Sequence, residues 1–285
     1  MTPAVPSYPR LLVTGGAGYL GAELVGRAPS AGWDVHATYR TTHPSLPATW
    51  LRLDVCSAEA VGYAFERTQP QAVIHTAVAE TGPALWPTTA VGAAIVADAA
   101  RRVGARLLHL SSDAVFDGER VGPYREWDAR RPVSDYGWAK AAAECMVADT
   151  HPEALIVRTS LLYGGAALSR AERLVLDVLS GRTQAAFFTD ELRCPAVVGD
   201  LAAALLEFAT RPLAGPLHVA GPEVVSRYEF ACLVAAARGH PPELVPSGRS
   251  ADGPHRRPRN CALDSRRAAA LLRTRLRGVR EVLKR

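Results

Sequence analysis

Apolar positions in this chain fall into short, nearly unbroken runs, and amphipathic stretches of helical spacing lie between them. Arg10-Leu11-Leu12-Val13-Thr14 is such a run and reads as a buried strand, after which Leu20, Leu24 and Val25 take up a helical period. The pattern predicts further strands at 33–38, 50–55, 72–77 and 106–111, and helices at 58–67, 83–103 and 136–149. Strands and helices in alternation predict an α/β fold with a doubly wound, mainly parallel sheet. In the last third, helices are expected at 174–179, 200–206, 228–238 and 265–272 and a strand at 215–221, enough for a smaller C-terminal α/β lobe.

The first strand runs straight into glycines. Gly15, Gly18 and Gly21, with Tyr19 and Leu20 opening the helix, give the spacing in which backbone can turn tightly and approach a pyrophosphate at a helix N-terminus. This predicts a dinucleotide-binding domain of the Rossmann kind. The second strand ends in Tyr39 and Arg40 where an acidic residue would bond a ribose 2′-OH; an arginine there suits a 2′-phosphate, so NADP(H) is preferred over NAD(H). Asp54 and Val55 are placed at the adenine edge, and Thr76 and Ala77 are small enough to let backbone lie against the cofactor. His75, inside an apolar strand, reads as a packing residue.

Ligands of such sheets sit beyond the C-terminal ends of the strands. Ser111-Ser112-Asp113-Ala114-Val115-Phe116-Asp117-Gly118 falls there, and Tyr136-Gly137-Trp138-Ala139-Lys140 follows on a helix. A hydroxyl at Ser112, a phenol at Tyr136 and an ammonium at Lys140 can polarise a carbonyl, give it a proton and hold the donor's pKa down. Lys140 is informative because only one other lysine, Lys284, occurs in the chain, all other strong bases being arginine. A compact ammonium is kept where a planar guanidinium would not serve.

Charge narrows the partners. The net charge of +5 is concentrated in residues 249–285, where twelve Lys or Arg face three acids, leaving about −4 on the residues before them. A basic C-terminal face without interleaved aromatics argues against nucleic acid, although Arg256-Arg257-Pro258-Arg259 suits a phosphorylated ligand. Five scattered cysteines, Cys56, Cys145, Cys194, Cys232 and Cys261, lack paired metal-ligand spacing, so reduced thiols and no metal are expected. No apolar run is long enough to span a bilayer, and Met1-Thr2-Pro3-Ala4-Val5-Pro6 lacks the layout of a signal peptide, which predicts a cytoplasmic protein without a membrane partner.

Thr14-Gly15-Gly16-Ala17-Gly18-Tyr19-Leu20-Gly21, Ser112-Asp113-Ala114-Val115-Phe116-Asp117-Gly118, Pro123-Tyr124 and the Tyr136/Lys140 pair together resemble the extended short-chain dehydrogenase/reductases. Within these the chain is most similar to the dTDP-4-dehydrorhamnose reductase group, through Arg158-Thr159-Ser160, Tyr163-Gly164, Ser226 to Ala231, Arg257 to Asn260 and Leu263-Asp264. The resemblance implies an NADPH-dependent reductase of a ketone on a nucleotide-activated deoxysugar. Tyr136 would donate the proton, its pKa lowered by Lys140, which would also bond the nicotinamide ribose; Ser112 would hold the carbonyl. Ser112, Asp113, Ala114, Tyr136 and Leu161 would line the substrate site; the two phosphates of a nucleotide sugar need cations, for which Arg193, Arg257 or Arg259 are candidates.

Three departures bear on the substrate. Ala114 stands where the related dehydratases carry an acid, Leu161 where the rhamnose-pathway reductases carry a tryptophan, and Arg193-Cys194-Pro195-Ala196 where they carry Gly-x-Pro-Thr. The expected division is a dinucleotide-binding domain at 1–160, with 196–217 packing back on it, and a substrate lobe at 161–195 and 218–285. Helices at 83–103 and 136–149 offer a face for a homodimer. The rival readings are a non-catalytic NADP-binding regulatory subunit, as in the β subunit of methionine adenosyltransferase, and a sugar-nucleotide epimerase.

Overall fold

The computed structural model describes residues 8–253 and 257–284; Met1–Pro6, on which the reading against a signal peptide rests, and Arg256 lie outside them. Seven strands form the central sheet: β1 (Arg10–Thr14), β2 (Asp34–Tyr39), β3 (Thr49–Arg52), β4 (Ala72–His75), β5 (Arg106–Ser112), β6 (Leu155–Thr159) and β7 (Gly215–His218). Their order is β7-β6-β5-β4-β1-β2-β3, and β1 pairs in parallel with both β2 and β4, as β2 does with β3 and β4 with β5. The chain order therefore reverses between β1 and β4, which is where a doubly wound sheet opens a ligand crevice.

By its internal contacts the chain divides into two compact units. The first comprises Met1–His109, Cys145–Leu155 and Leu205–Gly215. Its core is the fully buried Leu11, Leu12 and Val13 of β1, covered by Leu24 and Val25 of α1 (Tyr19–Arg27), Val61 and Phe65 of α2 (Ala58–Thr68) and Val96 and Ala97 of α3 (Gly92–Arg102). The strand expected at 50–55 stops at Arg52, because Asp54 turns the chain by accepting a hydrogen bond from Cys56 N (2.9 Å) on its Oδ1. The long helix expected at 83–103 starts as a wide turn, Pro87–Val91, before α3.

The second unit comprises Leu110–Glu144, Ile156–Ala204 and Pro216–Arg285. It carries the first part of α4 (Asp135–Thr150), then α5 (Arg170–Leu179), and α7 (Arg227–Ala237), which follows α6 (Val198–Phe208) in the chain; α8 (Arg266–Leu271) and α9 (Val279–Leu283) come last. Tyr163, Val175, Phe187, Phe230 and Val234 make its apolar centre. Two helix starts are fixed reciprocally. Ser169 with Glu172, and Ser226 with Glu229, form capping boxes in which each serine hydroxyl accepts from the glutamate N–H and each carboxylate accepts from the serine N–H. Strand β6 escaped the apolar pattern because its last two residues, Arg158 and Thr159, are polar yet buried.

The glycine turn after β1 is dictated by space. Gly15 has φ +73°, and a Cβ there would lie 2.6 Å from Ala77 N; a Cβ on Gly21 would lie 2.2 Å from Gly15 O. Gly21→Ala is therefore expected to push α1 off the turn at a cost of about 1–3 kcal/mol, read as a lowered Tm. An unchanged Tm would mean that the close approach is not required.

Candidate active site

Within the first unit, the ends of β1, β2 and β4 bound a cleft of about 280 Å³. Eight of the residues picked from the sequence line it: Gly15, Gly18, Tyr39, Arg40, Asp54, Val55, Thr76 and Ala77. The turn is held open by side chains that serve its backbone. Thr38 Oγ1 accepts from Gly15 N (3.1 Å), and Thr76 Oγ1 donates to Thr14 O (2.8 Å). Tyr39 sets its ring edge-on to His43, while the exposed Arg40 makes no ion pair among the described residues and is free to meet an anion. Tyr19, Leu20 and Gly21 do not line the cleft. Leu20 is buried in the core and Gly21 lets α1 close on Gly15, so their part is to place the helix.

In the second unit β5 ends by sending its two serines to opposite sides, as successive strand residues do. Ser111 is buried and donates to Glu144 Oε1 (2.5 Å). Ser112 caps the short turn 113–115: its hydroxyl accepts from Ala114 N (3.2 Å) and donates to Asp113 Oδ1 (3.0 Å). Tyr136 lies near the same hydroxyl. Its phenol pKa is raised, first by burial and then by the Asp113 carboxylate, with the Ser112 hydrogen bond opposing both.

That reverses the expectation that Lys140 lowers the Tyr136 pKa. The Lys140 ammonium instead donates to Leu110 O (2.8 Å) from a buried position. Burial pulls its pKa from the usual 10.5 down to about 8, and the Glu144 carboxylate one turn along α4 works against that fall. Glu144 is itself clamped, by Arg158 through Nε (2.9 Å) and Nη2 (2.7 Å) and by Arg130 Nη1 (3.2 Å).

Asp113 is buried under three partners: Ser112, Ser160 Oγ donating to Oδ2 (2.6 Å), and Arg193 Nε at 3.6 Å. Burial raises its pKa, while Arg193 and the two serines oppose the rise. Arg193 corrects the sequence reading. Its guanidinium is spent on Asp113, on Glu191 Oε1 (3.0 Å) and on the carbonyls of Leu192, Pro258 and Arg259, which leaves it a support for Asp113 instead of a phosphate ligand. Arg259 is exposed and pairs with Glu119 Oε2 (2.7 Å). Leu161 packs partly buried on the apolar centre around Tyr163. Arg257 stays half exposed over the Phe188 ring, 3.8 Å from Glu191 Oε2.

Sequence reasoning passed over Glu144, Ser160, Glu191 and Arg227. Arg227 opens α7 half-buried and makes no side-chain hydrogen bond or ion pair among the described residues. Burial, then Arg193 and Arg257, lower its pKa against the pull of Glu191, so an anion arriving there would relieve it. The Glu144 signal was present, four residues after Lys140 on one helix face.

The remaining motif blocks are structural. Tyr124 stacks on Phe116 at 4.1 Å, donates to Asp117 Oδ1 (2.5 Å) and accepts from Gly118 N (3.1 Å), while Asn260 Nδ2 donates to the carbonyls of Arg120 and Gly122. All five cysteines are free thiols, no group of three potential metal ligands occurs among the described residues, and none of their helices is long and apolar enough to cross a membrane.

Comparison with known proteins identifies the family. The model of the RmlD substrate binding domain family matches residues 9–285. The chain is 33% identical over 288 residues to the dTDP-4-dehydrorhamnose reductase of Mycobacterium tuberculosis, covering 96% of this chain and 91% of that protein. It is 29% identical over 274 residues to subunit beta of methionine adenosyltransferase 2 from Rattus norvegicus, covering 90% and 80%. The fold matches that of dTDP-4-dehydrorhamnose reductase from Bacillus anthracis, solved in complex with NADP, with a TM-score of 0.83 at 24% identity and 98% of each chain covered.

The buried ammonium has a consequence for stability. Lys140 takes up its proton at about pH 8 in the folded chain and at about 10.5 when unfolded, so between these values the unfolded chain binds more protons and stability gains as pH rises. The difference in unfolding free energy between wild type and Lys140→Met should therefore shift toward wild type by up to about 3 kcal/mol from pH 7.5 to 10.5. A pH-independent difference would place the titration elsewhere.

Proposed function

The chain belongs to the RmlD substrate binding domain family, and from that membership and its own site we propose that it is an NADP(H)-dependent ketoreductase of nucleotide-activated deoxysugars, reducing C4 of a dTDP-4-keto-6-deoxyhexose. One observation carries this reading: the end of β5 brings the Ser112 hydroxyl to the Tyr136 phenol, with a buried ammonium one turn further along the same helix. The first unit's cleft fits a dinucleotide, because Gly15 leaves no room for a Cβ and Arg40 supplies an uncommitted cation for a 2′-phosphate; NAD(H) remains the lesser cofactor. We assign cofactor holding to 1–160 with 196–217, and the sugar nucleotide to 161–195 and 218–285.

Bound NADPH supplies the hydride. Ser112 orients the ketone oxygen, its own hydroxyl held in register by Ala114 N and Asp113. Tyr136 hands over the proton; a phenol whose pKa is pushed up stays protonated until the oxygen acquires charge, which suits a donor. Arg193, Ser160 and Ser112 keep Asp113 in place without lending it to the reaction. Position 114 is an alanine, so the turn carries no second acid with which to expel water. For the two phosphates we propose Arg227, whose side chain makes no ion pair among the described residues, and Arg257, half exposed at 3.8 Å from Glu191. A regulatory subunit or an epimerase gains no specific observation here.

Purified protein incubated with NADPH and a panel of 4-keto sugar nucleotides should consume NADPH and form a 4-hydroxy product. Tyr136→Phe should slow turnover by about 10²–10⁴-fold; full turnover in that variant would sink the mechanism. Arg227→Ala should raise the KM for the sugar nucleotide at least tenfold with kcat nearly kept, and an unchanged KM would remove it from the phosphate site.

A further inference from the structure

The second unit contains a larger cavity, of about 760 Å³, in which Ser112, Asp113, Tyr136, Lys140, Ser160 and Arg193 take no part. Its separation from them follows from chain geometry. Arg193 turns its side chain to Asp113, and the next residue, Cys194, lines the cavity with its thiol against Leu263 O (3.7 Å). Neighbouring residues of an extended segment face opposite ways, so the two sites lie on opposite sides of that segment.

The cavity has two chemical faces. Val121, Pro123, Ala220, Leu263, Leu272 and Leu276 give it an apolar lining. Five arginines surround this, Arg120, Arg125, Arg266, Arg273 and Arg275, with Asp264 the one carboxylate among the lining residues. Arg120, Arg266 and Arg275 are paired with Asp128 (3.3 Å), Asp264 (2.7 Å) and Glu281 (2.8 Å). The three guanidiniums are exposed, but Arg266 holds Asp264 bidentately and keeps its carboxyl down at about 2, so these pairs frame the cavity. Arg125 lies over the Trp127 ring at 5.7 Å and makes no ion pair among the described residues. A concave apolar site of this volume with a few convergent charges has the build of a small-molecule pocket.

We propose that this cavity is a second ligand site, which takes a small amphipathic anion: an aromatic or acyl body against the apolar lining and a sulfonate, carboxylate or phosphate group toward Arg125. It requires neither the dinucleotide cleft nor the Ser112 and Tyr136 hydroxyls, and so stands apart from the ketoreductase reading. A neutral body of the same shape would gain the apolar contact alone. A polypeptide or nucleic acid would meet a hollow where it needs an extended surface.

The test is a fluorescence titration of the full chain with 8-anilinonaphthalene-1-sulfonate, and in parallel with the uncharged N-phenyl-1-naphthylamine. One saturating class of sulfonate binding is expected that disappears in Ala269→Trp, where an indole on α8 fills the cavity. Arg125→Ala, a change at an exposed position, should weaken the sulfonate about tenfold and leave the neutral probe unaffected. Persistence of every class of bound sulfonate in Ala269→Trp overturns the site. Equal response of the two probes to Arg125→Ala overturns its preference for an anion.

Discussion

An ammonium taken out of water needs negative charge or carbonyl dipoles close by, and much of the second unit is arranged around one such group. Lys140 reaches one carbonyl, Leu110 O, and looks along α4 to Glu144, which is 1% exposed. The fall of the Lys140 pKa to about 8 is roughly 3 kcal/mol of unrelieved burial, so the compensation is partial by design of the site. Glu144 carries the constraint outward to Ser111 on β5 and Arg158 on β6. Arg158 continues to Glu126 O and lies over Phe116, whose ring bears Tyr124 and through it the Asp117-Gly118 turn. A chain of charged and aromatic contacts thus runs from one buried nitrogen to the loop that follows Ser112.

A second buried charge plays the opposite part. Asp113 stands beside the two hydroxyls and would compete with a substrate for both if it were free to move. Ser160 and Arg193 hold its other oxygen, and Arg193 is itself held by Glu191 and three carbonyls. This arginine is consumed internally and offers its guanidinium to no incoming anion. Its neighbour Arg227 makes no side-chain hydrogen bond or ion pair among the described residues, and it is set at its position by the Ser226 and Glu229 capping box.

The fold was legible because its signals are local. Unbroken apolar runs marked β1, β4 and β5, and the glycine spacing marked the turn whose geometry permits no side chain at Gly15 or Gly21. Strand β6 was hidden, since Arg158 and Thr159 look like surface residues although both are buried, Arg158 against Glu144 from 14 positions away. The site divides in the same manner. Ser112, Tyr136 and Lys140 could be chosen by residue type and spacing within one stretch. Which arginine is spare could not be, because Arg193, Arg227, Arg257 and Arg259 differ only in which carboxylate or carbonyl the folded chain gives them.

The scarcity of lysine gives the burial of Lys140 an additional meaning. With Lys284 exposed close to the C-terminus, a protease that cuts only after lysine has one internal target, and in the folded chain that target is enclosed within α4. Cutting there requires the helix to come away from its surroundings, so the rate of cleavage into two large fragments measures how often this part of the protein opens. The buried ammonium of α4 is thus also a built-in reporter of local unfolding around it.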